Sequence, residues 1–194
     1  EYELGDYELS DVEKENLKKV ASAFENTIVV LNVGGVIDTK FFEETEGLDS
    51  LLLMGQGGQE GGHGVCDALT GRVNPCGKLT DTIAYDIKDY PSTENFGDER
   101  KNYYKEDIYV GYRYFETFAK DKVLYPFGFG LSYTAFEIAS AITDVTENAI
   151  TVEAVVKNTG DTAGKEVVEV YVEAPQGMLG KPSRVLAGFA KTQV

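Results

Sequence analysis

Two short apolar runs, each closed by glycines, constrain the fold of this chain more than any other feature. Residues 27–33 (TIVVLNV) and 50–54 (SLLLM) are apolar at successive positions, which is typical of parallel strands that are covered on both faces. Short helices are predicted over 39–45 and over 63–69, the second after the glycine-rich turn 55–62 (GQGGQEGG). The order of these elements predicts an α/β domain in which the two strands are adjacent and parallel.

A capping box precedes the first apolar run. Ser10 can accept the free backbone N–H of a first helical turn, and Glu13, three residues later, can reach back to Ser10. Apolar residues then recur at helical spacing, at Leu17, Val20, Ala21 and Phe24. The pattern predicts a helix that starts after Ser10 and carries one apolar stripe.

The residue pattern changes after Thr134, from glycine- and aromatic-rich segments to β-branched runs. β-Branched runs follow at 136–146, 149–158, 166–173 and 186–192. Turn residues separate them at the spacing typical of a β-sandwich, but such sandwiches need about 100 residues and about seven strands. Residues 134–194 are therefore expected to form an incomplete sandwich. We expect the strands at 149–158 and 166–173 to pair antiparallel, since a short connection joins them.

The stretch between these two parts is long and polar. Residues 80–107 include the turn pair Tyr90-Pro91, and a connection of this length is typical of a functional segment. Residues 108–118 (IYVGYRYFETF) are predicted to be an aromatic strand, and residues 124–134 (LYPFGFGLSYT) a packed, irregular segment.

Four residues of the polar stretch are the candidate substrate-binding residues: Asn95, Phe96, Arg100 and Tyr103. Flat apolar faces combined with polar edges are what carbohydrate sites use, so residues 92–105 are expected to line the rim of a sugar site. The aromatic stretch from Tyr103 to Phe118 is also typical of a core or an interface, and that alternative is open at this point.

Charge and rare residues exclude several classes of function. The chain has 33 acidic and 18 basic residues and a net charge of −15, which repels nucleic-acid phosphates and anionic membranes, so neither is expected as a partner. His63, Cys66 and Cys76 lack the number and spacing of a zinc site, so no metal is expected. Two free thiols are expected, which favours a cytoplasmic location.

The glycine-rich turn fits a dinucleotide-binding fingerprint only in part. Gly55 and Gly57 match G-x-G-x-x-G, but Glu60 stands at the third position. Its carboxylate would compete with a phosphate for the N–H groups of the following helix. A nucleotide-dependent enzyme is therefore disfavoured, and close packing of strand and helix explains the glycines.

Five segments, taken in order, resemble the C-terminal half of glycoside hydrolase family 3, the β-glucosidase and β-xylosidase family. They are TIVVLNVGGVID (27–38), GQGGQEGGHGVCDALTGRVNPCGKL (55–79), EDIYVGYRYFET (106–117), YPFGFGLSYTAFE (125–137) and KNTGDTAGKEVVEVYV (157–172). The resemblance covers nearly the whole chain. In addition, PSTENF (91–96) resembles a bacterial subgroup in which this half precedes the catalytic barrel.

The resemblance implies two parts: residues 1–133 as an α/β sandwich domain without its N-terminal portion, with a mainly parallel sheet, and residues 134–194 as an incomplete fibronectin type III-like domain. It implies a retaining β-glycosidase acting on terminal non-reducing β-D-glucosyl residues, with an aspartate nucleophile from a barrel and a glutamate acid/base from a loop of the α/β domain. No cofactor is implied. The implied partners are a β-glucoside or β-xyloside substrate and a catalytic barrel in the same or another chain, and self-association is left open.

Neither catalytic carboxylate of the family has a match in this sequence. Residues 5–10 (GDYELS) resemble the stretch that follows the acid/base motif, so that glutamate is expected upstream of Glu1, and the nucleophile belongs to the barrel. The chain alone is therefore expected to be inactive. A non-catalytic module that binds carbohydrate or protein is the alternative.

Two positions depart from the family pattern. Gly55 stands where many relatives have tryptophan, which removes an aromatic wall. Cys76 in NPCGKL stands where serine is common, and this nearly isosteric change is expected to be mild.

Overall fold

The computed structural model describes residues 5–98 and 100–192. The helices are α1 (Asp11–Ala23), α2 (Lys40–Glu44), α3 (Gly61–Leu69) and α4 (Tyr112–Phe118), with single 3₁₀ turns at Ile87–Asp89, Thr93–Asn95 and Lys120–Lys122. The strands are β1 (Ile28–Leu31), β2 (Ser50–Leu53), β3 (Ile83–Ala84), β4 (Val123–Tyr125), β5 (Phe136–Val145), β6 (Ile150–Asn158), β7 (Val167–Val172) and β8 (Val185–Lys191). Among the helices of the described residues, none is both long enough and apolar enough to cross a bilayer.

The predicted capping box at the start of α1 is confirmed. The Ser10 hydroxyl accepts from the backbone N–H of Glu13 at 3.4 Å, and the Glu13 carboxylate accepts from the backbone N–H of Ser10 at 2.8 Å. The hydrogen bonds from Ser10 also lower the pKa of Glu13. This start is fixed by contacts within four residues, so the sequence pattern alone identifies it.

Strands β1 and β2 are adjacent and parallel, as predicted, with Ile28 opposite Ser50 and Leu31 opposite Leu53. The prediction that the first strand is covered on both faces is wrong for the described residues. Leu31 is 8% exposed, but Ile28 is 49% exposed and Val30 is 36% exposed. These two side chains line an open groove of about 390 Å³ beside α1, so one face of the strand lacks a cover.

The predicted aromatic strand over 108–118 is wrong, because α4 occupies most of it. Gly111 has φ 60° immediately before the helix, a conformation that interrupts an extended run and favours glycine. Tyr112, Phe115 and Ala119 recur at helical spacing, and Phe115 and Ala119 join Ala84 in the buried core. Helical spacing therefore explains this aromatic run better than alternation does.

The four predicted C-terminal strands are present, but the predicted pairing of 149–158 with 166–173 is wrong. β5 pairs with β6 and β7 with β8, both antiparallel, in two separate sheets. A tight turn closes the first hairpin, where Thr146 donates its N–H to the Ala149 carbonyl. The connection after β6 folds back on the start of β5 instead, since Thr159 N–H donates to the Ala135 carbonyl.

The described chain thus combines helices with four two-stranded sheets, of which only β1–β2 is parallel. The sheet of the first part is therefore smaller than the mainly parallel sheet that was expected. Two hairpins do not by themselves make a sandwich of the fibronectin type.

Contacts between distant segments join the C-terminal hairpins to the α/β part. The Asn74 side chain accepts from Ser132 Oγ and from the Tyr133 N–H, and it donates to the Ala163 carbonyl. Lys78 forms an ion pair with Glu166 at 2.9 Å. Asn74 and Lys78 both belong to the NPCGKL turn, so this turn connects the two parts.

Candidate functional site

The carboxyl ends of β1 and β2 meet at one edge of the small parallel sheet, where ligands of α/β proteins commonly bind. The segment 32–35 (NVGG) leaves β1 there, and the glycine-rich turn 55–62 leaves β2. Gln56 lies over Gly34, since a Cβ at Gly34 would be 2.9 Å from the Gln56 side-chain nitrogen. Only glycine at position 34 allows this approach without displacement of the glutamine.

The helix α3 begins at this edge with an exposed pair of side chains, Glu60 and His63. His63 Nδ1 lies 2.5 Å from a carboxylate oxygen of Glu60, and Glu60 forms no side-chain hydrogen bond to the helix N-terminus. Glycine is needed in the turn itself, because a Cβ at Gly57 would lie 2.7 Å from the Gly61 Cα. Close packing thus accounts for Gly57, whereas Glu60 pairs with His63 rather than capping the helix.

The candidate substrate-binding residues lie in the loop 92–111, the aromatic loop, which lies between the 3₁₀ turn at Ile87–Asp89 and α4. Asn95 donates from its side-chain nitrogen to the Tyr103 carbonyl at 3.0 Å, so the structure brings these two residues together. The backbone N–H of Arg100 donates to Asp98 at 2.8 Å. Phe96, Arg100 and Tyr103 are all exposed, and the assignment of the four residues to a sugar site stays a prediction.

An exposed ion pair joins the two sides of the same loop. Lys105 Nζ lies 2.9 Å from a Glu94 carboxylate oxygen, and the hydrogen bond and charge of Lys105 lower the pKa of Glu94. The ion pair and the hydrogen bond between Asn95 and Tyr103 cross the loop at neighbouring positions. Together these two contacts stabilise the part of the loop that carries the exposed rings of Phe96 and Tyr103.

A buried cluster of polar groups anchors the start of this loop, and the sequence analysis missed it. The Tyr90 hydroxyl accepts from the Ala84 N–H at 2.9 Å and donates to the Thr82 carbonyl at 3.1 Å, and burial raises its pKa. Burial also raises the pKa of Tyr7, and the nearby Tyr90 hydroxyl and Asp38 carboxylate raise it further.

Asp38 extends this cluster to the loop that follows β1. Its N–H donates to the Tyr7 carbonyl at 2.8 Å, and its carboxylate accepts from the Lys40 N–H at 2.9 Å. The cluster therefore holds the base of the aromatic loop close to the segment that follows the carboxyl end of β1. The available signal was the position of Asp38, a polar residue shortly after a predicted strand of the parallel sheet.

The described residues contain no group of three or more histidine, cysteine, aspartate or glutamate side chains arranged to hold a metal ion. Cys66 and Cys76 are free cysteines. What the site offers instead is a glycine-rich strand edge and an aromatic loop with polar edges. Both are loop features, and loops held by a rigid scaffold commonly carry binding residues.

Comparison with known proteins identifies the family. The model of the "Glycosyl hydrolase family 3 C-terminal domain" matches residues 1–133, and the chain belongs to glycoside hydrolase family 3. The chain is 54% identical to a beta-glucosidase of Ruminococcus albus over 98% of the chain. It is 48% identical to beta-glucosidase A of Butyrivibrio fibrisolvens over the whole of the chain. It spans only 20% and 25% of these two relatives.

Solved structures of the family share the fold of nearly the whole chain. A beta-glucosidase from Paenibacillus barengoltzii matches 98% of the chain with a TM-score of 0.88 and 48% identity. Beta-glucosidase 3B from Thermotoga neapolitana in complex with glucose matches 99% with a TM-score of 0.88 and 41% identity. The chain covers 21% and 28% of these structures, and the matched part includes the C-terminal hairpins.

Proposed function

We propose that this chain is the non-barrel part of a retaining β-glucosidase that removes terminal non-reducing β-D-glucosyl residues. The observation that carries the proposal is the family match, together with relatives at 54% and 48% identity that are named beta-glucosidases. A catalytic barrel, in the same or another chain, supplies the nucleophile. Retaining chemistry needs two carboxyl groups about 5–5.5 Å apart on either side of the glycosidic bond.

In this proposal the α/β part forms a wall of the sugar site. Phe96 and Tyr103 offer exposed ring faces, and Asn95 and Arg100 offer polar groups on the same loop. A pyranose presents apolar C–H faces and a rim of hydroxyl groups, so rings and polar side chains side by side suit it. Residues 134–194 are proposed to be the first strands of a fibronectin type III-like domain, with the boundary at 133/134, and the protein is proposed to be cytoplasmic.

The central test compares the isolated chain with the chain joined to a family 3 barrel that includes the acid/base loop. Nitrophenyl β-glucoside, β-xyloside and α-L-arabinopyranoside are the substrates, the last because a relative at 42% identity is named exo-alpha-(1->6)-L-arabinopyranosidase. We expect no turnover by the isolated chain and fastest turnover of the β-glucoside by the complex. Turnover by the isolated chain, or sugar binding with no turnover by any complex, would contradict the proposal.

A second test addresses the aromatic loop. Phe96→Ala in the complete enzyme is expected to raise KM or lower kcat for the glucoside while the melting temperature stays within about 1 °C, because the side chain is exposed. Phe24→Ala is the matched control, since Phe24 is an exposed phenylalanine that follows α1, outside the loop. Equal kinetic parameters for Phe96→Ala and the parent on all three glycosides would remove the loop from the site.

A further inference from the structure

Helix α4 lies between the aromatic loop and the C-terminal hairpin β7–β8. It follows the loop directly, with Gly111 as its first flanking residue. One side of the helix enters the core, where Phe115 is 1% exposed. Ser183 and Arg184, which lie between β7 and β8, contact Thr117 and Glu116 on another side of the helix. A shift of α4 at this contact would therefore also shift the end of the loop.

The main polar contact is a shared carboxylate. Glu116, with a side chain only 17% exposed, forms an ion pair with Arg184, the residue before β8, and a second one with Lys120 at 3.3 Å. Arg184 also lies over the ring of Tyr171 in β7, 5.0 Å from its centre. The guanidinium therefore connects both strands of the hairpin to α4, whereas Lys120 connects the helix only to its own following turn.

Three further contacts fix the helix in the same orientation. Tyr112 accepts from the Leu186 N–H through its hydroxyl at 2.8 Å, and Thr117 accepts from the Ser183 N–H through its hydroxyl at 2.9 Å. The Tyr109 hydroxyl approaches Gly180 so closely that a Cβ there would be 2.8 Å away. These contacts lie at the last loop residues and along the whole helix.

We propose that Arg184 is a positioning residue for the aromatic loop: through Glu116 it holds α4, and thereby the loop 92–111, in the orientation that the sugar site needs. The proposal rests on the proposed function of this loop. It assigns to the C-terminal hairpin an indirect part in substrate binding, through α4 and the loop. The physical reason is that a charge-assisted, ring-supported guanidinium contact fixes geometry better than an exposed ammonium contact does.

Hydrogen exchange on the full chain tests the positioning directly. The reporting amides are Tyr109, which donates to the Glu106 carbonyl at 2.7 Å, and Tyr114, which donates to the Gly111 carbonyl at 3.0 Å. In Arg184→Met their exchange is expected to be about tenfold faster or more, because a hydrogen bond to a charged group is lost. The matched control is Lys120→Met, which removes the other cation that pairs with Glu116. Because the Lys120 side chain is 70% exposed, this variant is expected to change exchange less than about threefold.

Equal acceleration in both variants, or none in Arg184→Met, would overturn the proposal. If Arg184→Met fails to fold, Glu116→Gln replaces it, since this variant keeps the shape of the side chain and removes the charge that Arg184 contacts. It is expected to accelerate the same two amides, and unchanged exchange there would equally overturn the proposal.

Kinetics of the complete enzyme separate positioning from a structural role. Arg184→Met is expected to raise KM for nitrophenyl β-glucoside about tenfold with a smaller change in kcat, and Arg184→Lys to recover part of this loss because it keeps the charge. Faster exchange of the loop with unchanged KM would refute the role of the loop in sugar binding and, with it, the functional half of the proposal. A raised KM with unchanged exchange would refute the positioning by α4.

Discussion

Two half-buried phenols, Tyr7 and Tyr171, show how packing changes the ionisation of single residues in this chain. Tyr171 loses part of its hydration and donates its hydroxyl proton to Glu169 at 2.6 Å, and both effects raise its pKa. The Tyr7 hydroxyl is buried near Tyr90 and Asp38, and its pKa is raised mainly by that burial. The burial that raises both pKa values depends on which segments meet, so it cannot be predicted from the sequence.

The alkaline stability of the chain is expected to depend on these two phenols. An unfolded tyrosine ionises near pH 10, whereas Tyr7 and Tyr171 stay protonated to higher pH in the folded state. Their raised pKa thus contributes stability that is complete below about pH 10 and is lost as the pH rises through the folded-state value. Tyr7→Phe and Tyr171→Phe should each reduce the fall in melting temperature between about pH 9.5 and 11.5.

The control for this measurement is Tyr104→Phe, since the Tyr104 side chain is 88% exposed. It should follow the parent chain at every pH. Identical pH profiles for the parent and for both buried-site variants would show that the two phenols ionise equally in the folded and unfolded states.

At the scale of elements, prediction succeeded where the signal was local and failed where partners decided the outcome. The capping box, the two parallel strands and the helix after the glycine-rich turn were all found at or near their predicted positions. The aromatic run became α4 because Phe115 and Ala119 reach the core only with helical spacing. The pairing of the C-terminal strands failed because a short connection in sequence does not make a hairpin when its residues bind elsewhere.

The loop with Asn95 and Tyr103 could be named as a candidate from the sequence because polar and aromatic residues accumulate in one long connection. The structure brings these two residues together, and the assignment of the loop to a sugar site stays a prediction. The anchors of that loop, Tyr7, Asp38 and Tyr90, lie up to about eighty positions apart and could be recognised only once their contacts were known.

The hairpin β5–β6 is expected to be the least protected element of the chain in hydrogen exchange. Almost all of its residues are exposed, including Ile142 and Ile150 near its far end, and an isolated two-stranded hairpin is only marginally stable. In β7–β8, by contrast, the residues of β7 are mostly half-buried. Exchange in the full chain at low concentration should therefore be at least tenfold faster at Ile142 and Val152 than at Val168 and Val170.

The order of protection distinguishes two explanations of the C-terminal part. Slow exchange throughout residues 138–155 in a dilute monomer would mean that the hairpin needs no further cover. Protection that appears only at high protein concentration would mean that a second copy covers the apolar side of the hairpin.

At the scale of the whole molecule, polar contacts between distant segments join the α/β part to the hairpins. Among the contacts that cross between the parts are the hydrogen bond from Asn74 to the Ala163 carbonyl, the ion pair of Lys78 with Glu166 and that of Glu116 with Arg184. Since each of them would be lost if one part unfolded alone, we expect a single cooperative transition for the two parts.

The Lys78–Glu166 pair is the sharpest test of this coupling. The two side chains are only 19% and 14% exposed, and Lys78 also donates to the Gly130 carbonyl at 2.8 Å. Lys78→Met leaves the Glu166 carboxylate without this partner in a poorly hydrated position, which should destabilise the chain by about 3 kcal/mol and lower its melting temperature by roughly 6–12 °C.

The exposed pair of Lys19 with Glu15, both 66% exposed, provides the control, and Lys19→Met should cost at most about 0.5 kcal/mol. Calorimetry should show one transition in the parent chain and either a lower single transition or two separated ones in Lys78→Met. An equal shift in both variants would mean that the NPCGKL turn does not couple the two parts.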